Sequence, residues 1–124
     1  MLKYLTLALA IVGPLALSVP ALAQKAGPNG GLVAGKAGHE TELVIGATDL
    51  AVYILHDGKV DDVAGTKLKA VVQDGGKTTT ITFAAASPTK LVAKLPAALG
   101  KGAIVVLTGK DHHGDAISAR HVVK

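Results

Sequence analysis

The chain has 124 residues, no cysteine, 49% hydrophobic residues and a formal net charge of +4. Absence of cysteine removes disulfides, thiolate ligands and thiol redox chemistry, so any metal ion would be held by nitrogen and oxygen. The lysines are scattered singly and the only aromatic residues are Tyr4, Tyr53 and Phe83, which excludes a phosphate-tracking stripe or a base-stacking platform and with them nucleic-acid binding.

Met1 and Lys3 begin a short positive region, and an apolar run from Leu5 to Val19 follows, broken at Gly13-Pro14. Pro20-Ala21-Leu22-Ala23-Gln24 then offers small residues in an A-x-A arrangement, the pattern of a secretory signal peptide cleaved between Ala23 and Gln24. Pro14 cuts the apolar run short of the roughly 20 residues that span a bilayer, which argues against an uncleaved anchor. The exported chain is expected to be periplasmic or secreted, with no membrane insertion after cleavage. Loss of Lys3 with residues 1–23 lowers the balance to +3.

Residues 24–31, QKAGPNGG, have the composition of a flexible loop leading into the remaining chain, 32–124, which reads as a single domain. A first strand is expected near Leu32 to Lys36. From His39 the pattern alternates, with Thr41, Leu43 and Ile45 on one side and Glu40, Glu42 and Val44 on the other, the period of a half-buried strand. Gly46 to Asp49 forms a turn, and Leu50 to His56 resumes as a strand. Centring the hairpin on Ala47-Thr48 sets Ile45 opposite Leu50, Leu43 opposite Val52, Thr41 opposite Ile54 and His39 opposite His56. The apolar faces then match, and a slip by one residue would turn the whole apolar set to the wrong side.

Asp57-Gly58 is a turn dipeptide, and Lys59 to Thr66 reads as an irregular segment where a Greek-key crossing is expected. Lys67 to Asp74 is a strand, and Gly75-Gly76 signals a tight hairpin bringing Leu68, Ala70 and Val72 opposite Phe83, Ile81 and Thr79. Ala84 to Thr89 is expected to be a loop. Lys90 to Leu95, Ala103 to Gly109 and Ala116 to Val123 supply the last strands. About eight short, hairpin-linked strands and no helix define an all-β chain, an antiparallel β-sandwich.

Candidate chemistry rests on histidine. The hairpin register puts the His39 and His56 imidazoles on one face with Cβ atoms about 5 Å apart, close enough to share a copper or zinc ion. His121, which follows the parity of Ile117 and Ala119, or Asp57 would supply a third ligand. The alternative is that each histidine caps the edge of the core and hydrogen-bonds to backbone or water. A second cluster, His112-His113 within DHHGD, offers two imidazoles and two carboxylates on one turn. Adjacent residues seldom point the same way, and the competing reading is a solvated turn whose aspartates cap local N–H groups.

Glu40 and Glu42 share a strand face without a partner and read as its wet side. Ser87 and Ser118 lack a positioned base, and the glycines at 30, 31, 75 and 76 open no helix and so form no phosphate cradle. The chain is therefore not expected to be an enzyme.

The succession GPNGG, GHETELV, LAVYILHDGKV, GGKTTT and SARHVVK resembles that of small exported bacterial proteins. It is also similar to the β-rich domain that accompanies periplasmic adaptor subunits of heavy-metal efflux pumps of the resistance-nodulation-division type. Without the coiled-coil hairpin and lipoyl-type domain of those adaptors, the resemblance implies a free-standing relative, a metal-binding accessory partnered with metal-efflux components. The alternative is a structural or protein-interaction module with no ligand.

Overall fold

The computed structural model describes residues 25–124; the expected signal peptide, residues 1–23, lies outside them. Eleven strands follow one another: β1 (Lys25–Ala26), β2 (Leu32–Lys36), β3 (His39–Ile45), β4 (Asp49–His56), β5 (Lys59–Val60), β6 (Lys67–Asp74), β7 (Lys77–Thr82), β8 (Ala84–Ser87), β9 (Lys90–Lys94), β10 (Ile104–Lys110) and β11 (Ala116–Val122). All pairings are antiparallel. One sheet has the order β1-β2-β3-β4-β9-β8 with β5 against the end of β4, and the other has the order β11-β10-β6-β7. The two form an antiparallel β-sandwich, and the described residues contain no helix.

Alternation places the core. Leu43, Leu50, Val52, Ile54 and Leu91 of the larger sheet meet Leu68, Ala70, Val72, Val105, Leu107 and Ile117 of the smaller one in a single buried cluster. With no disulfide available, these side chains carry the stability, each fully buried leucine contributing about 2–3 kcal/mol relative to exposure. The expected β3–β4 register is the observed one, from Ile45 opposite Leu50 to His39 opposite His56. In the β6–β7 hairpin Ala70 lies opposite Ile81 and Val72 opposite Thr79, and the Phe83 N–H donates to the Leu68 carbonyl at 3.0 Å. Gly75 and Gly76 both have positive φ, 55° and 83°, the left-handed pair that matches a two-residue turn to strand twist.

Among the described residues the chain crosses between sheets three times, and the segment from Lys59 to Thr66 makes the first of these crossings. It is anchored by Val63, which is buried and whose N–H donates to the Pro88 carbonyl at 2.8 Å. All eight expected strands are present, and three short ones are added. Residues 84–87, expected as a loop, form β8, a fully exposed edge strand whose register against β9 shifts between Ala85 and Ser87. Its alanines have low strand propensity and no buried face, so no alternation betrays it. β5 extends the Asp57-Gly58 turn by two residues, and β1 lies within the segment expected as a loop, pairing with the start of β2.

Glu42 departs from the expectation that it lines a wet strand face. It is fully buried, because the loop after β1 folds back over it. Its carboxylate accepts from the Asn29 N–H at 2.8 Å, the Asn29 side-chain amide at 2.9 Å and the Gly31 N–H at 2.7 Å. A β-carbon at Gly27 would run into the Glu42 carboxyl, and one at Gly31 into the Leu43 carbonyl. The GPNGG stretch is thus a cradle for a carboxylate, and it fastens the start of the domain to β3. Glu40, its neighbour on that face, is half-buried.

Candidate functional site

Strand ends build the site. β3 begins at His39 and β4 ends at His56, so their pairing puts both imidazoles at one rim of the larger sheet. The ring centroids are 5.0 Å apart with planes at 89°. Asp57 follows in the left-handed region, φ 49°, which aspartate tolerates, and its Oδ2 lies 3.8 Å from His56 Nε2.

The turn from β10 to β11 comes from the other sheet and reaches the same rim. Asp111 holds it closed, its Oδ1 accepting from the N–H groups of His113 and Asp115, each at 2.9 Å. This is the local capping expected of the DHHGD turn, yet it does not separate the two imidazoles. Their centroids are 3.8 Å apart, because the backbone bends here and the strand alternation that would oppose neighbours is lost. His113 in turn lies 6.4 Å from His56 between ring centroids, and its Nε2 is 3.8 Å from Asp61 Oδ2.

The two histidine clusters separate in sequence are therefore one rim of four imidazoles. Among the described residues there are two sets whose potential ligand atoms lie, within each set, within 4.8 Å of one another: Asp61 with His112 and His113, and His39 with Asp111 and Asp115. His56, Asp61 and His113 share a shallow hollow with Lys59 and Val60. Asp61 was not singled out by sequence, having no periodicity to mark it. It is placed by its N–H donating to the Ile54 carbonyl at 2.8 Å, just past β5.

His121 lies elsewhere. Expected to extend the His39–His56 pair, it is fully buried, with Nε2 3.0 Å from Thr41 Oγ1. Thr41 Oγ1 is itself 3.4 Å from the Ala34 carbonyl, an arrangement in which the hydroxyl donates to that carbonyl and accepts from His121 Nε2–H. Nδ1 is then a buried lone pair with no partner. Burial without a compensating charge lowers the His121 pKa from 6.5 to about 4. The parity that made His121 look like a ligand is the parity of the core.

The exposed rim residues differ from His121 in access. The side chains of His56 and His113 are 49% and 55% exposed, open to an ion arriving from solvent. Mixed imidazole and carboxylate donors within a few ångströms suit zinc or copper. No family model, curated protein or solved structure matches this chain.

Proposed function

We propose that this protein is a non-enzymatic exported accessory that binds a copper or zinc ion on its histidine rim and serves metal efflux or resistance. The observation that carries the reading is the convergence of His39, His56, His112 and His113 from both sheets. Burial of apolar side chains does not require it, since these imidazoles sit outside the core cluster. Convergence of several neutral imidazoles is what an ion of borderline softness selects.

An open rim suits capture and release of an ion better than chemistry on an enclosed substrate, which needs a water-excluding cleft. Export is supported by the leader-like pattern through Ala23, and the efflux connection by the order of motifs from GPNGG to SARHVVK. Calorimetric titration of the exported form with Cu(II), Cu(I) and Zn(II) tests the reading. Saturable uptake that falls at least tenfold in affinity when His39 and His56 are both replaced by alanine is expected. Absence of saturable uptake, or uptake indifferent to that double change, would discard it.

A further inference from the structure

We infer that the rim is a two-ion centre, with a nitrogen-rich site made by Asp61, His112 and His113 and an oxygen-rich site made by His39, Asp111 and Asp115. This rests on the metal-binding reading above and deepens it. The two sets share no residue, and within each the ligand atoms lie within 4.8 Å of one another. Tetrahedral ligand atoms at bond lengths near 2.0–2.3 Å stand about 3.3–3.8 Å apart, so each set closes on one ion with side-chain movements on the order of 1 Å.

Each set has a different chemical character. Two imidazoles and a carboxylate favour copper or zinc, whereas one imidazole and two carboxylates favour a harder ion or zinc. Asp111 spends Oδ1 on the backbone N–H groups of His113 and Asp115. Its other oxygen is left for an ion, and the same two hydrogen bonds fix the turn that supplies two members of each set. His56 belongs to neither set and stands between them, its ring centroid 5.0 Å from that of His39 and 6.4 Å from that of His113. Half-exposed, it is able to turn toward either ion and complete its shell.

Charge points the same way. Asp57, Asp61, Asp111 and Asp115 bring four carboxylates to this rim, and Lys59 is the cation in the hollow that His56, Asp61 and His113 line.

Native mass spectrometry of the exported form with increasing Zn(II) counts the ions directly. Two bound zinc ions per chain are expected at saturation. His39→Ala with Asp115→Asn should leave one ion, and His112→Ala with His113→Ala should also leave one. All four side chains are exposed, so the thermal transition is expected to be retained, and circular dichroism verifies it. Saturation at one ion, lost equally in both variants, would overturn the two-ion centre while leaving metal binding intact. No bound ion at all would overturn both.

Discussion

His39 and His56 face one another directly across β3 and β4, edge to face, with ring centroids 5.0 Å apart. Two exposed imidazoles in that relation add little to folding, so removing one should separate binding from stability. His56→Ala is expected to weaken zinc or copper affinity by tenfold or more, about 1.4 kcal/mol. The unfolding free energy should move by no more than about 0.5 kcal/mol, as for other exposed positions. Parallel calorimetry and urea melts distinguish this from a structural role, in which stability would fall and affinity follow it.

Glu42 predicts the reverse. Glu42→Ala leaves the N–H groups of Asn29 and Gly31 without their acceptor beneath the folded-back loop. Hydrogen bonds to a charged group are worth about 1.5–3 kcal/mol each, so a loss of roughly 3 kcal/mol in unfolding free energy is expected. Amide exchange at Asn29 and Gly31 should accelerate with it, while metal affinity at the His39 end of β3 stays within a factor of a few. A chain whose urea midpoint is unmoved by the substitution would contradict the cradle.

His121 sets a pH dependence. Its folded-state pKa of about 4 lies below the ordinary 6.5, so between those values the unfolded chain binds the proton that the folded chain refuses. Stability from this group is therefore complete above pH 6.5 and lost progressively as the pH falls toward 4, by at most about 3 kcal/mol. His121→Gln keeps a donor for Thr41 and cannot titrate. Urea melts at pH 4.5 and 7 should show a smaller difference for that variant than for the parent, and an equal difference would refute the assignment.

The first hairpin was legible because two independent signals, apolar alternation and a short central turn, allow only one register that buries Leu43, Val52 and Ile54 together. That register alone brings His39 to His56. Parity could not show what lies above a strand, which is why Glu42 reads as wet and is in fact covered by residues 27–31. Nor could it show that the DHHGD turn of one sheet reaches the His56 end of the other. His113 and Asp61 meet through the packing of sheets, and no local pattern encodes that meeting. His121 follows the same rule: the inward face of a strand is shared by core residues and by rim residues, and its position along the strand puts it in the core.

Residue-resolved imidazole NMR during Zn(II) addition tests the central claim most directly. The account predicts that ring resonances of His39, His56, His112 and His113 shift or exchange together while those of His121, buried against Thr41, stay in place. Rim imidazoles that remain unmoved at saturating zinc, or a response confined to His121, would contradict it.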